Sequence, residues 1–346
     1  MAYTTINKHT DYFNTKLYSG NGSTNAITGV GFAPDFAWIK ERTSTSTHVL
    51  GTTIQGTGKR LSSATSDAEA SLANIFTSFD SDGFTHGADN GVNESGQTYA
   101  SWNWKANGAG SSNTDGTINS TVSANTTAGF SIVSYTGNGS ISTVGHGLSG
   151  IPDMITVKNR STGSTNWRSI FPNMVLGGAS NGADYNLNLN TTNPWNNGTE
   201  FNDTMPTSSV FTLGTSGDVN TNGDNYIAYC FKNIKGYSKI GSYTGNGNAD
   251  GTFVYTGFKP AFIILKKTSD TANWMMYDNK REGYNVDNDH LKPNTNEAEG
   301  TSDDLDILSN GFKLRTSGSG ENSGNFIYMA FGQSLVGSNN VPCTAR

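Results

Sequence analysis

Two acidic clusters and one Asp-rich turn hold the side chains best suited to chemistry. Asp80-Ser81-Asp82-Gly83 opens like a calcium loop, but the rest of an EF-hand loop and its terminal acidic ligand are missing. Asp-Gly is also an ordinary hairpin turn, and the turn is the reading adopted. Asp287-Asn288-Asp289-His290 and Asp303-Asp304-Leu305-Asp306 can each offer oxygen ligands. Nothing in their spacing fixes a coordination sphere, and acidic clusters on loops are ordinarily just solvated. The histidines His9, His48, His86, His146 and His290 are scattered without metal-ligand spacing. There is no Gly-x-Ser-x-Gly elbow, no His-Glu-x-x-His and no phosphate loop. A glycosidase needs only two carboxylates at a suitable separation, but no acidic residue is shared among the repeats described below. The sequence therefore assigns no catalytic residue, no metal ligand and no cofactor, and the expectation is a protein that is not an enzyme.

Aromatic side chains are the better candidates for binding. Trp167 and Trp274, with His48 at the equivalent place, follow an apolar strand and can form an aromatic platform for a sugar ring. The bland reading, that they plug one end of each folded unit, is the stronger of the two. Lys40, Lys158 and Lys266 recur just upstream, and each is expected to end a strand and snorkel to water.

The elements that carry these residues are repeated. Tyr-Thr/Ser-Gly-Asn-Gly occurs at Tyr18–Gly22, Tyr135–Gly139 and Tyr243–Gly247, about 110 residues apart. Each copy reads as a strand running into a turn, since Gly and Asn take positive φ most cheaply. A proline then precedes a lysine by six positions in Pro34–Lys40, Pro152–Lys158 and Pro260–Lys266. In the first of these, Phe36 and Trp38 share one face and Ala37 and Ile39 the other, so the strand is expected to be covered on both sides. Leu61–Glu69 is echoed by Leu291–Glu299, and Gly83-Phe84 by Gly311-Phe312. Aromatic-rich strands close the copies at Tyr99–Lys105, Tyr226–Lys232 and Phe326–Phe331. A unit of this length suits a sandwich with its own core better than a solenoid repeat. The expected fold is all-β, with three tandem β-sandwich or jelly-roll-like repeats. The boundaries are an N-terminal arm 1–11, repeats 12–108, 129–236 and 237–334, a Gly/Ser/Asn/Thr linker 109–128 and a tail 335–346. The alternative is one pseudo-threefold body whose repeats share a centre.

Composition agrees with β structure: 14% of the 346 residues are charged, with 42 Gly, 17 Phe and 14 Tyr. The net charge of −6 and the scattered Lys and Arg give nucleic-acid binding no support. No apolar run is long enough to span a bilayer, and the first residues lack the apolar stretch of a signal peptide. Cys230 and Cys343 are too few for a disulfide framework; Cys230 is expected to pack as a small hydrophobe and Cys343 to be a bystander.

Gly241–Gly247, Gly257-Phe258-Lys259-Pro260, Tyr277–Arg281, Leu308–Arg315 and the ending Val341–Arg346 resemble a repeat-domain family of virion structural, tail-fibre-like proteins of marine tailed bacteriophages. The resemblance is close over 237–346, fair over 129–236 and weaker over 1–110, where Trp102 and Trp104 replace the usual closing pattern. It implies a virion structural protein, made in the host cytoplasm and exposed on the particle. A tail fibre or adhesion component is the first expectation, a capsid decoration or head-fibre protein the second, and a polysaccharide-degrading spike the third. The implied partners are other virion proteins of the tail or capsid, host surface glycans, and further copies of the chain in a homo-oligomer, a trimer by analogy. Release by lysis would account for the lack of a signal peptide. The resemblance brings no catalytic residues with it.

Overall fold

The structure is a computed structural model that describes residues 4–174, 180–282, 285 and 287–334. It is all-β, built from antiparallel sheets packed as sandwiches. Three segments of the chain use one strand order. An opening strand pairs with a closing strand, which pairs with the proline-to-lysine strand (here the inner strand), which pairs with a flanking strand. In the first segment these are Phe13–Ser19, Thr98–Trp104, Phe36–Glu41 and Val49–Thr52. In the second they are Phe130–Thr136, Asn225–Phe231, Met154–Asn159 and Arg168–Ile170. In the third they are Ser238–Asn246, Ser323–Gly332, Pro260–Lys267 and Trp274–Asp278.

Period-two alternation on the inner strand decides the architecture. Ala37 and Ile39, Ile155 and Val157, and Ile263 and Leu265 face small outer cores, one per segment, closed by outer strands such as Gly83–His86, Val210–Leu213 and Gly311–Leu314. Phe36 and Trp38, Met154, and Phe262 and Ile264 point the other way, into a single cluster shared by all three segments. Rings meet across every seam: Phe36 and Tyr229 lie 4.7 Å apart, Phe231 and Phe331 6.0 Å, and Phe13 and Phe331 5.0 Å. Each such pair adds about 0.5–1.5 kcal/mol beyond its buried area. The three inner sheets thus wall one aromatic core, and the segments are faces of one body rather than beads.

The recurrent Gly-Asn-Gly turn is fastened the same way each time. The backbone N–H of Asn21, Asn138 and Asn246 donates to the side-chain oxygen of buried Asn93, Asn220 and Asn322, at 2.9, 2.9 and 3.2 Å. The second glycine of each turn has φ of 67°, 71° or 70°, the left-handed region that glycine tolerates best. The first lies against backbone; a Cβ on Gly20 would fall 2.1 Å from the Glu94 carbonyl oxygen. The preceding tyrosine stacks on the closing strand, with ring centroids 5.0 Å apart for Tyr18–Tyr99, 5.2 Å for Tyr135–Tyr226 and 4.8 Å for Tyr243–Phe326.

One expectation is corrected here. Residues 109–128 do not simply link: Ser111–Asn113 and Ser120–Asn125 extend the second segment's sheet by two strands. Ile118 and Val122 bury there, and two apolar side chains are enough because the neighbouring strand supplies the rest of the core. The described part of the N-terminal arm docks on its own chain. Ile6 enters the shared core, His9 lies edge-on to Tyr237 at 5.3 Å, and the Thr10 N–H donates to Ser334 Oγ. Cys230 packs in the second outer core, where burial pushes its thiol up to about 12. Cys343 and the 335–346 tail lie outside the described residues.

Candidate functional site

The aromatic platform of the sequence reading is not at the surface. His48, Trp167 and Trp274 are buried, one at each seam between segments. Trp167 Nε1 donates to the Ser62 carbonyl at 2.8 Å, and Trp274 Nε1 to the Asn188 carbonyl at 3.0 Å. His48 Nδ1 accepts from Trp38 Nε1 at 2.9 Å, which leaves Nε2 to donate to the Lys292 carbonyl at 3.1 Å. Second touches first, third touches second and first touches third, so the contacts close a ring. Burial, then nearby Lys40, lowers the His48 pKa to about 3, which keeps the ring neutral.

The recurrent lysines do not snorkel. They sit on the core-facing side of the inner strand, and backbone carbonyls replace their water, for Lys158 and Lys266 one from the neighbouring segment and one from their own. Lys158 Nζ donates to the Ser66 carbonyl at 3.1 Å and to the Thr165 carbonyl at 2.9 Å. Lys266 Nζ donates to the Thr192 and Ala272 carbonyls at 3.0 and 2.8 Å. Lys40 Nζ donates to the Glu41 carbonyl at 2.6 Å. Burial lowers the pKa of each to about 8.

The charged residues serve the same seams. Arg160 pairs with Glu69 at 2.7 Å, and Arg42 with Glu299 at 2.6 Å. Behind Glu299 lies fully buried Arg281, bonded to Asp278 at 2.7 Å and to Glu299 at 2.9 Å, with its guanidinium 5.7 Å from the Trp102 ring. Asp82 caps a turn, accepting from the N–H groups of Gly29 and Gly31, which lower its pKa. Asp289 pairs with Arg42 and Asp306 with Arg315; the side chains of Asp287, Asn288 and Asp303 lie outside the described residues. Among the described residues no group of three or more His, Cys, Asp or Glu is placed to hold a metal ion.

One cluster is not consumed by a seam. A cavity of about 430 Å3 opens in the third segment, lined by Thr271–Asn273, Met275, His290, Lys292, Ser302, Asp304, Gly320 and Glu321. Asp304 is its hub: Oδ2 accepts from Ser302 Oγ at 2.6 Å and from Tyr277 Oη at 3.1 Å, and lies 3.3 Å from His290 Nδ1. Burial works to raise the Asp304 pKa, but the bonds from His290 and Ser302 outweigh it and hold it below the usual range. Glu321 moves the opposite way, raised by burial and by the charge of Asp304. The arrangement offers carboxylate acceptors beside hydroxyl, amide and ammonium donors.

Register locates this cavity in all three segments. Met275 opposes Leu265 as Arg168 opposes Val157 and Val49 opposes Ile39. Gly320-Glu321-Asn322 stands where the other copies have Asp218-Val219-Asn220 and Gly91-Val92-Asn93. In the second segment Arg168 fills the space, bonded to Asp218 at 2.6 Å and to Glu200 at 3.2 Å. In the first, Arg60 and Val49 close over Gly91, both within 4.0 Å of where its Cβ would be. In the third, a Cβ on Gly320 would meet nothing within 4 Å. The sequence reading named Asp304 and His290 only as loop ligands and passed over Glu321. Setting the three Asn triplets side by side is the signal that finds it. Of the aromatics that do reach solvent, Tyr255 has Lys239 Nζ 5.4 Å from its ring centroid.

Comparison with curated proteins returns no match. The family model described as "Domain of unknown function (DUF7483)" matches residues 8–334, all three segments together. The chain, one body closed by a ring of seam contacts, belongs to the DUF7483 family.

Proposed function

We propose that this protein is a non-enzymatic structural component of a bacteriophage virion, exposed on the particle and used for adhesion, as in a tail fibre. The observation that carries the reading is the inequality of three equivalent positions. Two are packed shut with Val92 and with the Arg168–Asp218–Glu200 cluster, and the third is left open and polar. A scaffold that only coats a shell has no use for such an opening, whereas an adhesin needs a recess on a rigid support. The sequence resemblance over 237–346, the segment that holds the recess, supports the same reading.

Antibody labelling of intact particles by electron cryomicroscopy tests it. Label at the tail with a few tens of copies or fewer supports the adhesion reading. Hundreds of copies over the head would replace it with a decoration protein. Absence from particles would remove the virion reading altogether.

A further inference from the structure

We propose that the cavity of the third segment binds a neutral saccharide unit, with Asp304 and Glu321 accepting from its hydroxyls. This deepens the adhesion reading above and rests on it for the source of the ligand, a surface glycan. The volume, about 430 Å3, lies within the range of about 300–1,000 Å3 of small-molecule sites. A sugar hydroxyl both donates and accepts, and the lining offers both partners: the Asp304 and Glu321 carboxylates as acceptors, the Lys292 ammonium and the Asn273 amide as donors. Met275 supplies apolar surface for the ring's C–H groups. Two carboxylates disfavour an anionic ligand, and hydroxyl, amide and ammonium donors in the same lining suit a neutral polyol better than a bare cation.

Glu321 is the residue that most needs explaining. Its counterparts Val92 and Val219 are fully buried in outer cores, so an apolar residue satisfies the fold there. A half-buried carboxylate is costly at such a place unless something outside the fold rewards it. Gly320 and Met275 point the same way, because each omits a side chain that closes the second segment. The threefold repetition supplies its own control: the same backbone exists with the space filled.

The test is titration of the full-length chain with the methyl glycosides of glucose, galactose, mannose and N-acetylglucosamine, by calorimetry and by the Met275 methyl resonance. The expected result is binding of at least one glycoside with Kd of about 1 mM or tighter, and a shift of the Met275 signal. Glu321→Val, which restores the residue of the other two segments, should weaken binding at least about tenfold, roughly 1.4 kcal/mol. The double variant Met275→Arg/Gly320→Asp, which rebuilds the second segment's ion pair, should abolish it while the chain still melts in one cooperative transition. Silence of all four glycosides towards the wild-type chain overturns the assignment, as does binding that leaves Met275 unmoved. Release of reducing sugar from a polysaccharide would overturn binding without catalysis. Particle labelling is independent: label without sugar binding sinks the site alone, and sugar binding without label sinks the virion reading alone.

Discussion

The indole N–H of Trp167 donates to the carbonyl of Ser62 across 105 residues of sequence, at 2.8 Å, from a fully buried ring to a half-buried residue. Neither residue belongs to the other's sheet, and the bond is one of three related contacts that tie the segments into a ring. Trp167→Phe removes this bond, worth about 0.5–1.5 kcal/mol, before any loss of packing. Denaturant melts of the variant at constant m-value would measure it.

Because the aromatic core is common property, the segments should not unfold one by one. Tryptophan fluorescence and far-ultraviolet circular dichroism should report the same single transition. A fragment of residues 237–334 leaves Phe262, Ile264 and Phe331 without their neighbours, and should bind hydrophobic dyes instead of melting cooperatively. Separate transitions for the three segments would contradict the shared core.

Asp278 joins Trp102 and Arg281: its Oδ2 accepts from the indole at 3.0 Å and from the guanidinium at 2.7 Å. Asp278→Ala leaves a buried guanidinium short of one of its two acidic partners. The expected loss is about 3–5 kcal/mol. A double-mutant cycle with Arg281→Met should recover part of it, since removing both charges is milder than stranding one.

Acid should weaken the fold through its buried imidazoles. Burial lowers the pKa of His48 and His86 to about 3 from a usual value near 6.5. The unfolded chain therefore takes up protons below pH of about 6.5 while the folded chain refuses them until about 3. Stability from these groups is full above the upper limit and declines through that window. Stability curves of wild type and His86→Leu should diverge there, with the variant less pH-dependent.

Lys40, Lys158 and Lys266 should resist reductive methylation in the native protein and react only on unfolding. Peptide mass spectrometry of protein labelled at pH 8 would check it; modification as fast as at exposed Lys235 would contradict their burial.

Much of this was legible in the sequence, for a definite reason. The Gly-Asn-Gly turns and the six-residue step from proline to lysine are local, and local rules fix strands and turns. The two-faced inner strand followed from Phe36 and Trp38 alternating with Ala37 and Ile39. The roles of Trp167, Trp274 and Lys158 were not legible, because their partners are backbone carbonyls of Ser62, Asn188 and Ser66. Every residue carries a carbonyl, so nothing in composition marks which one a distant side chain will meet. Residues 109–128 misled for a related reason: an edge strand needs few apolar side chains when its neighbour brings the core. The candidate site lay between these cases, since Glu321 stands out only against Val92 and Val219.

The ring of seams also sets the order of events at the ribosome. His48 waits for Lys292 and Arg42 for Glu299, partners 244 and 257 residues downstream. Until the third segment emerges, the first two present an uncovered aromatic wall, Phe13 and Trp104 among it. Contacts so distant in sequence make folding slow and leave the nascent chain prone to association. Synthesis of the last segment is therefore the step that seals the molecule, and a chain stopped short of it carries its core on the outside.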